Sequence, residues 1–255
     1  MTQLVKIWFE GEGRLLRLRL SRPKANLIDA AMIAALDAAL SEHVRGGQIS
    51  AVLLDAEGPH FSFGASVEEH LPKQCAAMIE GLHRLVLRMI ECPVPLLTAI
   101  RGQCLGGGLE VALAGHLIFV APDAMLGQPE MKLGVFAPAA SCLLPELIGP
   151  VRSFDLLVSG RSITGNEAAA IGIAHEVADD PERAALAYFE EHLKPKSASS
   201  LRYAVKAARV DYIARVKDKI RNVERLYLDE LMVTHDAVVG LEAFIAKRAP
   251  QWQHR

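Results

Sequence analysis

Three short segments of this 255-residue chain combine residue types that could do chemistry. They are Phe61-Ser62-Phe63-Gly64-Ala65-Ser66, Gly102-Gln103-Cys104-Leu105-Gly106-Gly107-Gly108-Leu109-Glu110, and Gly127-Gln128-Pro129-Glu130. Three glycines in a row between an apolar run and a helix-like stretch allow close backbone approach and unusual dihedrals. They also leave the first amides of that helix without internal partners, at the positive end of its dipole. Such amides can hold a phosphate or a developing oxyanion. The phosphate reading fails on detail, because a P-loop needs Gly-Lys-Ser/Thr and here Gly107 is followed by Gly108-Leu109. No GxGxxG pattern occurs either. On this segment alone, a glycine-lined helix–strand packing site remains an equal alternative.

Glu110 sharpens the question. It lies in Leu109-Glu110-Val111-Ala112-Leu113-Ala114, a run whose composition implies burial nearly all round. A buried carboxylate needs partners or must hold its proton, so Glu110 is either a salt-bridged or capping residue or is chemically used. Glu130 follows a turn-like stretch, with Met125-Leu126 before it and Met131 to Phe136 after it. By itself it could be an ordinary loop acid. Two glutamates in apolar settings form a better constellation, because one can deliver a proton while the other orients water.

Other chemistries are disfavoured. None of the nine histidines shows metal-ligand spacing, and HExxH is missing, so no metal site is assigned. Ser62 and Ser66 lack the GxSxG context of a nucleophile elbow. The four cysteines, Cys75, Cys92, Cys104 and Cys142, have no CxxC spacing and read as reduced, buried thiols.

The elements that must position these residues follow from periodicity. Leu4 to Phe9 and Arg14 to Leu20 alternate around Gly11-Glu12-Gly13, which predicts a hairpin. Asp29 is placed to cap a helix through about Arg45, ended by Gly46-Gly47. Ala51 to Asp55 is a buried-strand run, and a helical stretch spans about Met78 to Ile90. Pro93 and Pro95 introduce the strand Leu96 to Ile100, and the glycine cluster opens the helix Leu109 to Ala114. A further strand covers Leu117 to Ala121. Strands alternating with helices imply an α/β fold with substantially parallel pairing. After about Pro195 no strand pattern recurs. Ser197 to Val210, Val216 to Met232 and Asp236 to Lys247 read as three amphipathic helices needing a partner surface on this chain or another subunit. The expected division is a catalytic α/β part over 1–195 and a helical part over 196–255.

Composition excludes some classes of partner. Apolar residues make up 51% and charged residues 23%, the balance of an ordinary globular protein. A net charge of −2 leaves no basic surplus for nucleic acid. The basic stretch Arg215 to Arg221 reads as a solvated helix face. No segment supplies the ~20 apolar residues of a membrane span. Met1 to Phe9 reads as a strand and not as a signal peptide, which points to the cytoplasm.

Taken in order, the three segments resemble the crotonase (enoyl-CoA hydratase/isomerase) superfamily. The likeness runs from Ser21-Arg22-Pro23-Lys24-Ala25-Asn26 to Asp236-Ala237 and Lys247-Arg248-Ala249-Pro250. It implies a spiral of ββα turns followed by a helical trimerisation region, in a homotrimer or homohexamer. It also implies an acyl-coenzyme A substrate and no cofactor. The backbone N–H groups of Ala65 and Gly107 would bind the thioester oxygen, where losing one donor typically costs ~10² to 10³ in rate. Glu110 and Glu130 would be the catalytic pair, Glu130 chiefly proton donor and Glu110 chiefly water activator. Lys24, Ala25 and Leu27 match the edge of the CoA surface, with Ser66 and Val67 near the pantetheine arm; Phe63, Gly106, Pro129 and Phe136 complete the expected substrate surface.

Two departures matter. Ser66 stands where many relatives carry Asp, and Phe136-Ala137-Pro138-Ala139-Ala140-Ser141 replaces a glycine-rich stretch beside the acyl pocket. Phe63 to His70 with Leu133 to Pro138 looks most like the branch that hydrates a cyclic 1,5-dienecarbonyl-CoA thioester in anaerobic benzoyl-CoA degradation. There, water enters β to the thioester and the proton reaches the far end of the diene. Ordinary 2-enoyl-CoA hydration and double-bond isomerisation are the neighbouring alternatives. A non-catalytic acyl-CoA- or RNA-binding relative is the alternative of a different class.

Overall fold

The computed structural model describes residues 3–45 and 47–255. Met1, Thr2 and Gly46, which belong to the first predicted strand and the first predicted helix stop, lie outside the described residues. The hairpin pairs β1 (Val5–Glu10) antiparallel with β2 (Leu15–Leu20). Asp29 accepts from Met32 N and starts α1 (Ala30–His43). Then follow β3 (Ala51–Ala56), α2 (Cys75–Ile90), β4 (Leu96–Ile100), β5 (Gln103–Leu105), α3 (Gly107–Leu113), β6 (Leu117–Val120) and β7 (Met125–Gly127). The chain continues through α4 (Pro138–Ser159), β8 (Ser162–Thr164), α5 (Gly165–Ala170), β9 (Glu176–Val177) and α6 (Pro181–Tyr188).

Successive turns feed two sheets. One has the order β1-β2-β3-β4-β6-β9, parallel from β2 onward. The other has the order β5-β7-β8. Thus β4 and β5, then β6 and β7, each give one strand to each sheet before a helix returns the chain. This is the predicted spiral of ββα turns. The short strands β5, β7, β8 and β9 were not separable in the sequence, being two or three residues long.

Strand alternation divides the core. Leu16, Leu18, Leu20, Val52 and Leu54 face α1 and α2, while Leu15, Leu53, Leu97 and Phe119 face Ala185 in α6 and Phe189 just after it. Arg17 points to that second side and is 1% exposed. Its two terminal nitrogens pair with Glu10, Asp55 and Glu182 while Nε has no acceptor, and the Trp8 ring lies 4.8 Å away.

The C-terminal part differs from expectation in one respect. Two predicted helices are a single helix, α7 (Ala198–Arg225), continuing into a wider turn over Leu226–Leu231. The interval 211–215, Asp-Tyr-Ile-Ala-Arg, contains no Gly or Pro to stop it. The last helix, α8 (His235–Ile245), packs against the 3₁₀ turns Glu68–His70 and Pro129–Leu133. Tyr227, Met232, Ala237 and Leu241 pack there with Cys75, Met78, Ile79 and Val135, so part of the apolar surface is covered by the chain itself. Among the described residues, no helix is long and apolar enough to cross a membrane.

Candidate active site

The site is built where two loops touch through glycine. Ser62 N donates to Gln103 O and Leu105 N to Ser62 O, both at 3.0 Å, which holds the segment after β3 alongside β5. At Gly106 the chain takes φ 50° and ψ −130°, a conformation closed to most side chains. A Cβ there would lie 2.8 Å from Glu130 Oε1. A Cβ on Gly107 would lie 3.0 Å from Ala65 Cβ and 3.2 Å from Ala65 N. The three-glycine run therefore serves backbone approach, as one of its two sequence readings required.

That approach leaves two donors over. Gly64 N is taken by Ser62 Oγ at 3.1 Å and Gly106 N by Gly127 O at 2.9 Å. Among the described residues, the amides of Ala65 and Gly107 have no hydrogen-bond acceptor. Both residues line one cavity of about 300 Å³ together with Glu110 and Glu130. Two free amides beside a carboxyl pair could hold a carbonyl oxygen while the acids move protons.

The carboxyls differ in their surroundings. Glu110 projects from α3, whose seven residues are all buried, and is 2% exposed. Its Oε1 accepts from Ala140 N at 2.9 Å, in the first turn of α4. Since Ala137 supplies no side-chain cap to α4, Glu110 does so from another element. Burial raises the pKa of Glu110 above the ordinary 4.5, and the Ala140 and Ala139 amides counter part of that shift. Glu130 stands in the 3₁₀ turn Pro129–Leu133, begun by Pro129, and is 9% exposed. Its pKa is also raised, first by burial and second by the charge of Glu110. The Gln128 amide, with its nitrogen turned to the carboxylate, donates to both Glu130 oxygens at 3.1 Å. Of the two, Glu130 holds its proton more strongly, because the α4 amides favour the ionised form of Glu110 and the Glu110 charge disfavours ionisation of Glu130.

The cavity also receives Phe63, Val67, Gly106 and Pro129 from the sequence-derived set. Lys24, Ala25, Leu27 and Ser66 lie outside it. Ala25 O accepts from Phe63 N at 2.9 Å, which places that segment beside the rim. Ser66 turns its hydroxyl to Glu68. Phe136 is a correction: it does not line the cavity but packs edge-on against Tyr227 at 5.2 Å, and Val135 and Pro138 form the wall instead. Its neighbours are the apolar side chains around Tyr227, a fully buried surface that draws the ring inward. Sequence reasoning missed Gln128, His70 and the roof residues Gly240 and Phe244. A polar Gln128 in an otherwise apolar run was the available signal for the first; α8 carried none. The four cysteines are free and buried. Among the described residues, no cluster of three or more His, Cys, Asp or Glu could hold a metal. A larger groove of about 590 Å³ runs between α1, α2 and α7, where several charges are paired, as in Arg88–Asp37, Lys217–Glu91 and His83–Glu224.

A two-sheet ββα spiral with a buried carboxyl pair and two free amides defines a class, and comparison agrees. The profile described as enoyl-CoA hydratase/isomerase matches residues 10–255, and the chain belongs to this family. Among its relatives, the cyclohexa-1,5-dienecarbonyl-CoA hydratase of Thauera aromatica is 62% identical over 98% of this chain and 97% of its own. A probable enoyl-CoA hydratase of Bacillus subtilis is 30% identical, covering 92% and 94% of the two chains. The crystal structure of an enoyl-CoA hydratase/isomerase from Xanthobacter autotrophicus superposes with a TM-score of 0.86 over 97% of this chain and 98% of the other, at 23% identity.

Proposed function

We propose that this chain is a hydro-lyase that adds water to a conjugated acyl-CoA thioester, a cyclic 1,5-dienecarbonyl-CoA, as a step in anaerobic benzoyl-CoA degradation. The observation that carries the reading is one cavity holding Glu110, Glu130 and the unpaired amides of Ala65 and Gly107. The hydratase named in the Thauera aromatica relative supplies the substrate class.

The chemistry follows from the environments. Ionised Glu110 takes a proton from water as its oxygen bonds to the carbon β to the carbonyl. Negative charge then collects on the thioester oxygen, where the two amides meet it without reorganisation. Glu130 gives its proton to the carbon skeleton, at the far end of the diene. The pair thus exchanges one protonated state for the other, and solvent exchange restores the first. Hydration changes no oxidation state overall, so the reading needs no redox cofactor, and the substrate brings the coenzyme A. Lys24, Ala25 and Leu27 at the rim, with Ser66 and Val67, are assigned to the CoA end.

The assembly is proposed as a trimer or a dimer of trimers, with the catalytic part over 1–195 and the helical part over 196–255 contributing to contacts. Support comes from the exposed apolar residues Val151, Phe154 and Val158 on the part of α4 after its kink at Gly149. A cytoplasmic location is supported by four unpaired cysteines.

Product analysis tests the proposal. Cyclohexa-1,5-dienecarbonyl-CoA and crotonyl-CoA are incubated separately, following loss of the conjugated thioester absorbance. Faster conversion of the cyclic compound to a ring-hydroxylated product is expected. Preference for crotonyl-CoA would move the chain to ordinary enoyl-CoA hydration. Tight binding without turnover of either would make it a binding protein.

A further inference from the structure

His70 is absent from the reaction as just described, yet it lines the same cavity. It closes the 3₁₀ turn Glu68–His70, five residues after Ala65. That turn is anchored at both ends. The Glu69 carboxylate accepts from Ala30 N at 3.0 Å, at the start of α1. His70 Nδ1 donates to Ser66 O at 2.7 Å, since a carbonyl can only accept. The neutral ring then has its proton on Nδ1, and Nε2 carries a lone pair. Among the described residues, Nε2 has no hydrogen-bond partner. Burial pushes the His70 pKa below the ordinary 6.5, against the Ser66 carbonyl, which favours the proton. The wall around it is apolar, with Val67, Ile79, Leu82 and Val135.

Counting acceptors says what this lone pair is for. The attacking water has two hydrogens, one transferred and one retained in the new hydroxyl. Glu110 Oε1 already accepts from Ala140, leaving Oε2 as base. Both oxygens of Glu130 receive the Gln128 amide, and its proton is reserved for carbon. These oxygens keep further lone pairs but are already engaged, so an acceptor outside the pair serves the retained hydrogen best, and a buried O–H left without one costs about 1–3 kcal/mol. We propose that His70 Nε2 is that acceptor: it positions the attacking water and afterwards holds the product hydroxyl. This deepens, and rests on, the hydratase reading above. Because the contact is made to the attacking water and not to the thioester, it acts on turnover more than on substrate binding.

Two variants separate this role from a structural one. His70→Asn keeps a donor near the Nδ1 position for Ser66 O but has nothing at Nε2. His70→Gln places an amide oxygen near Nε2 and loses the Ser66 tether. With whichever thioester the wild type hydrates, His70→Asn is expected to lower kcat about tenfold to hundredfold with KM within about twofold, and His70→Gln to recover part of the loss. Wild-type kcat in His70→Asn, or equal losses with raised KM in both variants, would overturn the role. A binding measurement stands apart from turnover: the wild type should bind 3-hydroxybutyryl-CoA more tightly than butyryl-CoA, and His70→Asn should lose that preference. A preference that survives in His70→Asn would overturn the role too. Absence of wild-type hydration would instead count against the proposed function, while the binding ratio still reads His70.

Discussion

Replacing Glu130 by glutamine removes one ionisable proton from the cavity while keeping shape, and it should move activity and stability in opposite directions. In the folded chain the Glu130 pKa lies above the ordinary 4.5, through burial and the nearby charge of Glu110. In the unfolded chain it returns to the ordinary value. Between the two, the folded state binds more protons than the unfolded state, so stability falls as pH rises through this window and stays lower above it. Glutamine has no proton to lose. The variant should match the wild type near pH 4.5, exceed it increasingly as pH rises toward the raised value, and keep a constant margin above it. Each tenfold change in proton affinity corresponds to about 1.4 kcal/mol, or about 3–6 °C in Tm for a chain of this size. In the hydration assay the same variant should lose about 10²- to 10⁴-fold in kcat, the usual worth of a positioned general acid. Thermal melts across pH, run beside kcat and KM, give both readouts on one sample. A Tm difference that is flat with pH would refute the assigned proton affinity, and near-wild-type kcat would refute the role.

Further outcomes follow from other contacts. Gly107→Ala puts a methyl 3.0 Å from Ala65 Cβ, prising apart the two amides; kcat should fall about 10²-fold with an unchanged circular dichroism spectrum. Glu110→Gln keeps an oxygen for Ala140 N but cannot take a proton, so steady-state kinetics should show a kcat loss of about 10²- to 10⁴-fold with little change in KM. Arg17→Met leaves the buried Asp55 to Arg19 alone, and denaturant unfolding should report a loss of about 3–5 kcal/mol. Phe154→Asp on the exposed apolar part of α4 should lower the oligomer mass seen by sedimentation, if that part joins subunits.

Much of the site was legible because its parts break local rules in the sequence. Three consecutive glycines before a helix and a glutamate inside an all-apolar helix are each costly without a purpose, and they meet here. The hairpin, α1 and the parallel strands were readable from alternation and from the Asp29 cap. What escaped depends on contacts distant in sequence. The short strands β5 and β7 exist by pairing with each other, not through any pattern of their own. Phe136 faces Tyr227 because α7 and its extension bring that ring across some ninety positions, which no local reading reveals. His70 resembled an ordinary loop histidine until the tie to Ser66 O fixed its tautomer. The joining of two predicted helices into α7 reflects a polar but break-free interval, where amphipathic phase shifts and the backbone does not.

The central claim is that residues 110 and 130 act as one unit on one bound thioester. A double-mutant cycle in kcat tests this directly, with Glu110→Gln, Glu130→Gln and the combined variant assayed on the same substrate. Groups sharing a single step give strongly non-additive losses, so the combined variant should be scarcely slower than the worse single one. Losses that simply multiply would mean the two carboxyls work independently, contradicting a shared site.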